Sequence, residues 1–318
     1  MQTLTMRSFK GEADLEAIAY LINTCETADK LENGTSVSEL REAFNNPLVN
    51  QARDLQLWED CNNQLLGFGR LGITDPSEVI DGFLGFQVHP SFRGGNIETQ
   101  IIQWAEQRMQ EVRQEKGVPV KLRSGARDNE TDRIAILENH GFVSDRYFFT
   151  MQRPLTEIIP QPQFPSGFTL CQVKPEDAEA LTELFNQSFI DHWNHHDSTV
   201  EYVKHEMAQQ DYRAELDLIA TAADGTFAAF CYSVINREEN IRKGRKEGWI
   251  EILGTRRGFR RIGLGRAMLL SGLHRLKVLG MDTASLGVDA NNPNGALRLY
   301  ESVGFSKVFS RIAYVKNV

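Results

Sequence analysis

The sequence predicts an α/β fold built twice over, each copy a mixed sheet with helices on both faces. Three observations predict it. A proline-rich stretch, Pro154, Pro160, Pro162, Pro165 and then Gly167, falls near the middle of the 318 residues, where neither a helix nor a central strand can run through it. The sequences on either side carry strand-like and helix-like patterns in the same order. Each side contains an apolar run, a turn rich in glycine and arginine, and then a long amphipathic segment. The expected organisation is therefore a first domain over 1–155, a linker over 156–167 and a second domain over 168–318.

The elements follow in register between the halves. The first opens with a strand from Leu4 to Arg7 and a helix from Asp14 to Asn23; the second opens with Phe168 to Gln172 and a helix from Glu176 to Asn186. Alternating apolar residues then give Leu55 to Trp58 and Leu65 to Leu71 around the turn Asn62-Asn63, and Leu216 to Thr221 and Phe227 to Ile235 around Asp224-Gly225. Next come Phe83 to Val88, Arg93-Gly94-Gly95 and a helix from Ile97 to Glu115, matched by Trp249 to Leu253, Arg260 to Gly265 and a helix to Leu279. In that last helix Leu264, Met268, Ser271, Arg275 and Leu279 share one line, flanked by Ala267, Leu269, Leu270, Leu273 and Leu276. Each half closes on a short helix, a Gly-Phe pair (Gly141-Phe142 or Gly304-Phe305) and a final strand.

Composition narrows the function classes. Hydrophobic residues at 41% and charged residues at 25% are a globular balance. A net charge of -8 argues against nucleic acid as the partner. No apolar stretch reaches the roughly 18 residues of a membrane helix, and no basic segment followed by an apolar one opens the chain, so a cytoplasmic address is expected with no membrane partner. Cys25, Cys61, Cys171 and Cys231 are too scattered for a disulfide framework or a thiolate metal site. The densest basic cluster, Arg256, Arg257, Arg260, Arg261 and Arg266, surrounds a glycine pair.

That pair belongs to Arg260-Arg261-Ile262-Gly263-Leu264-Gly265, between a strand and a helix. Glycine lets a ligand approach the backbone, and the first helical turn leaves N–H groups without intrahelical acceptors. The two together make a nest for linked phosphates; a turn packed tightly for steric reasons fits the same pattern. It is neither a P-loop nor a dinucleotide fingerprint, since no Gly-Lys-Ser/Thr follows and the three-glycine spacing is absent. It resembles the acyl-CoA-binding motif of the GNAT superfamily, Arg/Gln-x-x-Gly-x-Gly/Ala, through Arg260, Gly263 and Gly265, with Arg261 where many members have glycine. Downstream, Asn291-Asn292-Pro293-Asn294-Gly295-Ala296-Leu297-Arg298-Leu299-Tyr300-Glu301 leading to Gly304-Phe305 resembles the closing signature of that family.

The resemblance implies two tandem GNAT acyl-CoA N-acyltransferase folds and a reaction between acetyl-CoA and an amine. It implies coenzyme contacts from Leu253, Gly254 and Thr255, from Arg260, Arg261, Ile262, Gly263, Leu264, Gly265 and Arg266, and from Asn292 and Ala296. Tyr300 is the implied general acid for the departing thiolate. Glu251, an acid within the apolar run Trp249 to Leu253, is the expected base, alternation setting it opposite Ile250 and Ile252. The polar segment Asp191 to Asp197 resembles an Asp-His-Trp loop that walls the acceptor pocket in some members, which makes His192, Trp193 and His196 candidate acceptor contacts. No metal is expected, since acyl transfer from CoA needs none.

The first half departs from this pattern. Asn96 and Glu98 stand where Gly263 and Gly265 stand, Leu137 replaces Tyr300, and Leu84 replaces Glu251. A carboxylate in the nest repels phosphate and satisfies helix N–H groups itself, so the first half is expected to be non-catalytic. The tandem arrangement resembles that of the mycothiol synthases, where two such domains share a chain and one performs the reaction. The expected partner is a small-molecule amine; a monomer and a homodimer both fit. A non-catalytic acyl-CoA sensor and a protein or peptide N-acetyltransferase are the alternatives, and the intact Gly263, Gly265 and Tyr300 point to turnover.

Overall fold

The computed structural model describes residues 4–31, 34–46, 49–74, 78–193, 195–209 and 212–318. In chain order the elements are β1 (Thr5–Ser8), α1 (Glu12–Asp29), α2 (Val37–Phe44), α3 (Gln51–Asp54), β2 (Leu55–Glu59), β3 (Leu65–Ile73), β4 (Ile80–Val88), α4 (Ile97–Lys116), β5 (Val120–Arg127), α5 (Thr131–Asn139) and β6 (Val143–Pro154). There follow β7 (Phe168–Gln172), α6 (Ala178–Phe189), α7 (Val200–Met207), β8 (Asp217–Ala222), β9 (Phe227–Val234), α8 (Arg237–Lys243), β10 (Glu247–Thr255), α9 (Leu264–Val278), β11 (Thr283–Asp289), α10 (Ala296–Ser302) and β12 (Ser306–Asn317). They form two compact units, Met1–Arg146 with Arg311–Val318, and Tyr147–Ser310.

Both units carry the mixed α/β fold the sequence predicts, with one topology. In unit 1, β1, β2, β3 and β4 pair antiparallel in order, β4 pairs parallel with β5, and β5 pairs antiparallel with β12. In unit 2 the same series runs β7, β8, β9, β10, then β11 parallel, then β6 antiparallel. Each unit thus takes its sixth strand from the other half of the sequence: Arg311–Asn317 lies along Lys121–Arg127, and Phe148–Pro154 along Thr283–Asp289.

This corrects the boundary at 155 and the linker over 156–167. Past Pro154 the segment makes no ladder, yet Leu155 and Ile159 belong to the core. Leu155 and Ile159 are buried beside Met151, Leu276 and Leu286, with Phe164 against them. The N–H of Leu155 donates to Asp282 O at 2.7 Å. Proline content reported the missing ladder correctly; it carried no information about which side chains the segment buries.

Unit 2 has one apolar layer on each face of its sheet. Leu264, Met268, Leu269, Leu273 and Leu276 of α9 pack with Ile250, Leu286 and Tyr300. Leu181 and Leu184 of α6 pack with Ile219 and Phe230, and Ile252 joins them. Ile250 and Ile252 therefore serve opposite faces, contrary to simple alternation. The cause is a bulge: Ile250 pairs with Ser233 and Ile252 with Tyr232, leaving Glu251 as the extra residue. In unit 1 the β3–β4 ladder runs without a break from Gly67–Val88 to Ile73–Gly82, so Leu84 sits in regular strand.

The bulge comes where the sheet opens. The β10–β11 pairing runs from Glu247–Thr283 to Ile250–Leu286, and both strands continue past it. The carboxyl ends of adjacent parallel strands thus separate, the place where open α/β sheets hold ligands. Unit 1 repeats this at Phe83–Arg123.

Ile159→Ala is expected to lower stability in urea by about 2–5 kcal/mol, because Ile159 is 6% exposed in the core of unit 2. Its neighbour Ile158, 92% exposed, should tolerate alanine within about 0.5 kcal/mol. Equally small effects at both positions would restore the free linker.

Candidate active site

The turn before α9 is fixed by backbone and by one arginine. Arg256 N donates to Ala228 O at 2.9 Å and Phe259 N to Arg256 O at 2.9 Å, which returns the chain toward the sheet. Arg260 then ties the turn down: Nε donates to Thr255 O at 3.1 Å, Nη2 to Ser188 O at 2.8 Å, and Nη1 to Asp191 Oδ2 at 2.7 Å and Asn294 Oδ1 at 3.3 Å. The expected phosphate ligand is thus committed to protein acceptors, and its side chain shapes the site rather than reaching for an anion.

The free donors at this turn are backbone N–H groups. Arg261 and Gly263 adopt left-handed conformations with φ of 67° and 93°, and Gly263 O accepts the first helical bond from Ala267 N at 3.1 Å. The N–H groups of Leu264, Gly265 and Arg266 have no intrahelical acceptor, and no side chain caps the helix. A Cβ at Gly265 would stand in ordinary contact with Thr255 Oγ1, 3.4 Å away. The result is an uncapped cluster of donors, which fits a pyrophosphate and the coenzyme that carries one.

This nest opens into a cleft of about 1010 Å³, mouth included, between the end of β10, the start of α9 and the segment that follows β11. Leu253, Gly254 and Thr255 line it from β10, Arg260, Arg261, Gly263, Gly265 and Arg266 from the turn and helix, Asn292, Ala296 and Tyr300 from the closing motif, and His192 from the loop after α6. Pairing with β9 occupies one edge of β10 as far as Thr255–Ala229; past Ile250 the other edge faces the cleft with main-chain donors and acceptors. Tyr300 is 7% exposed, its ring against Phe305. Burial pushes its hydroxyl well above the ordinary tyrosine range, so it stays protonated near neutral pH. No described residue hydrogen-bonds to that hydroxyl.

Other expected contacts fall elsewhere. Ile262 is turned out, 48% exposed, and Leu264 is buried in the core, so each can offer only its N–H. Trp193 lies on Phe148 with ring centroids 5.6 Å apart, and neither it nor His196 lines the cleft. Glu251 lies outside the lining as well; it is exposed at the surface, and the protein around it raises its carboxyl above the usual range by desolvation. Among the described residues no group of three His, Cys, Asp or Glu could hold a metal. Ser188, Phe189, Asn294, Gly295 and Leu299 complete the lining. Asn294 and Gly295 stood inside a recognised motif; Ser188 and Phe189 arrive by the packing of α6, which leaves no local pattern.

Residues 178–305 match the acetyltransferase (GNAT) family. A mycothiol acetyltransferase of Thermobispora bispora is 30% identical over 297 residues, 92% of this chain and 93% of that protein. The chain belongs to the acetyltransferase (GNAT) family. A mycothiol acetyltransferase of Salinispora tropica is 26% identical, over 95% of this chain and 92% of its own. Among solved structures, a GCN5-related N-acetyltransferase from Sphaerobacter thermophilus matches with a TM-score of 0.78 at 24% identity, covering 99% of this chain and 95% of that one. A tandem GNAT protein from the clavulanic acid biosynthesis pathway matches with a TM-score of 0.71 at 12% identity, covering 99% and 98%. The GNAT fold carries acetyl-CoA-dependent acyl transfer as its general activity.

Within this GNAT chain, unit 1 repeats the scaffold and alters the site. Arg93 copies Arg260, with Nε donating to Val88 O at 3.0 Å and Nη2 to Asp29 at 2.8 Å. Phe142 N donates to Leu137 O and Phe305 N to Tyr300 O, both at 3.1 Å, which makes Leu137 the structural counterpart of Tyr300. Glu98, 3% exposed, turns its carboxylate into the nest and accepts from Gly94 N at 3.0 Å. Arg133, the counterpart of Ala296, lies over the Phe86 ring at 4.0 Å and donates to Phe86 O at 3.1 Å and Gly125 O at 2.7 Å. It laces together the strand ends that part in unit 2.

Replacing the four-contact guanidinium by an ammonium, Arg260→Lys, is expected to weaken CoA binding about tenfold, or 1.4 kcal/mol, in isothermal titration. Arg93→Lys should leave that affinity unchanged. Equal losses would place coenzyme binding in both units.

Proposed function

We propose that unit 2 transfers the acetyl group of acetyl-CoA to the primary amine of a small molecule within a ternary complex, and that unit 1 is non-catalytic. One contrast carries the reading. Unit 2 joins an uncapped donor nest to a buried, protonated Tyr300 in one cleft. Unit 1 has a carboxylate in the nest, a leucine at the tyrosine position and an arginine across the strand gap.

The chemistry follows from what lines the cleft. Main-chain N–H groups of Leu264, Gly265 and Arg266 hold the pyrophosphate. The free edge of β10 near Leu253 to Thr255 orients the thioester and offers N–H donors to the charge that develops on its carbonyl oxygen. Tyr300 gives its proton to the departing sulfur, and its raised pKa keeps that proton available across neutral pH. Among the described residues, Glu251 on the bulge and His192 in the cleft are able to take the proton of the amine.

Direct attack is favoured because the cleft lacks a thiol nucleophile. No cysteine lines it, and Cys231 is buried in the core with its thiol pushed up to about 12. The relatives named mycothiol acetyltransferases put mycothiol-related amines in an acceptor panel beside aminoglycosides, polyamines, amino acids and amino sugars.

Thiol release with acetyl-CoA over that panel tests the reading. Turnover should select among amines, and initial-rate plots for the two substrates should intersect. Tyr300→Phe should lower kcat by about 10²-fold or more with acetyl-CoA affinity retained. CoA binding without release for any amine would mark a sensor, and parallel rate plots would mark a covalent intermediate.

A further inference from the structure

The loop after α6 is a strap fastened on both sides of His192, which lines the cleft. At one end Asp191 is held by Arg260 Nη1 at 2.7 Å and by Arg257, both from the phosphate turn. At the other end Trp193 lies on Phe148 of β6, the strand beside β11. The N–H of His192 donates to Phe189 O at 2.7 Å, fixing the backbone between these anchors. The His192 ring meets Phe189 edge-on at 5.6 Å, and Phe189 in turn meets Phe230 at 6.3 Å. Phe230 packs so closely on Gly254 that a Cβ there would lie 2.3 Å from the ring. The imidazole thus lines the same cleft as Leu253, Gly254 and Thr255 of β10.

Its tautomer is fixed as well. Nδ1 of His192 lies 2.9 Å from Trp193 O. A carbonyl oxygen only accepts, so Nδ1 carries the hydrogen and the neutral ring holds its lone pair on Nε2. No described residue bonds to Nε2. A histidine whose Nε2 has no protein partner among the described residues thus lines the cleft that contains Tyr300, while Glu251 lies outside that lining. The charged and titratable groups around it are Asp191, Arg257 and Arg260 on the turn side, Arg261 and Arg266 at the start of α9, and Tyr300 of α10.

We propose that His192 is the general base of the transfer, a catalytic residue that receives the proton of the acceptor amine. The proposal rests on the acetyl-transfer reading above. Nε2 takes a proton from the amine nitrogen as that nitrogen attacks the acetyl carbonyl carbon. The C–N bond forms, the C–S bond breaks, and the sulfur leaves with the proton of Tyr300. The imidazolium then loses a proton to solvent and the tyrosinate gains one, which restores the starting state. The strap makes Asp191 and Trp193 positioning residues, which hold the base where the amine enters.

The test is kcat/KM against pH for the parent, His192→Gln and Glu251→Gln, by thiol release with acetyl-CoA and the best amine of the panel. His192→Gln is expected to lower kcat about 10²-fold, to leave the KM for acetyl-CoA within about twofold, and to remove the acid limb of the profile that Glu251→Gln retains. Unchanged thermal unfolding and CoA affinity of His192→Gln separate loss of the base from loss of fold. Retention of the acid limb in His192→Gln, with its loss in Glu251→Gln, would overturn the proposal in favour of the carboxylate. A raised amine KM at unchanged kcat would overturn it in favour of a pocket wall. Either outcome leaves acetyl transfer standing, whereas a parent that releases no thiol with any amine removes both.

Discussion

Past Ile250 and Leu286 the two parallel strands of unit 2 lose each other, and the hydrogen-bonding groups on that edge of β10 have no strand to meet. A parted pair of strands in a sheet interior is costly unless something else satisfies the freed groups. The features that carry the proposed reaction in unit 2 are arranged around that gap. The bulge at Glu251 begins one residue beyond the last parallel pair. The turn after β10 returns to the gap through Arg260, and α9 starts with its free N–H groups at the mouth. Tyr300 closes the floor from α10. An extended ligand with amides along one arm and phosphates at its end matches these donors in order.

Unit 1 separates scaffold from chemistry within a single molecule. It keeps the parted strands, the arginine clamp and the Gly-Phe closure, with hydrogen bonds of nearly the same length. It changes the nest, the residue at the position of Tyr300, and the gap. Glu98 provides internally the negative charge that a phosphate would otherwise bring, and Arg133 bonds to both strand ends that the ligand would otherwise occupy. The retained arginine in the altered unit is the clearest sign that Arg260 acts on the shape of the turn.

The sequence made much of this legible. The duplicated order of elements, the Gly263 and Gly265 turn, and the equivalence of Leu137 with Tyr300 all rest on local spacing, and local spacing survives folding. What it hid depends on partners far away in the chain. The exchange of β6 and β12 is invisible because each strand keeps its own pattern whichever sheet it joins. The bulge is invisible because Ile250, Glu251 and Ile252 alternate perfectly on paper; only the register against Ser233 and Tyr232 adds the extra residue. The Asp191 to Asp197 segment reads as one polar loop, yet tertiary anchoring sends Asp191 to the arginines, Trp193 to Phe148 and only His192 into the cleft.

The most direct measurement is a crystal structure of the full chain grown with saturating CoA. The pyrophosphate should lie within hydrogen-bonding distance of the N–H groups of Leu264, Gly265 and Arg266, with the pantetheine arm along β10 and the sulfur beside Tyr300. The nest at Glu98 should hold no coenzyme. Coenzyme bound against Glu98, or phosphates held by the Arg260 side chain with those three N–H groups unoccupied, would contradict the account.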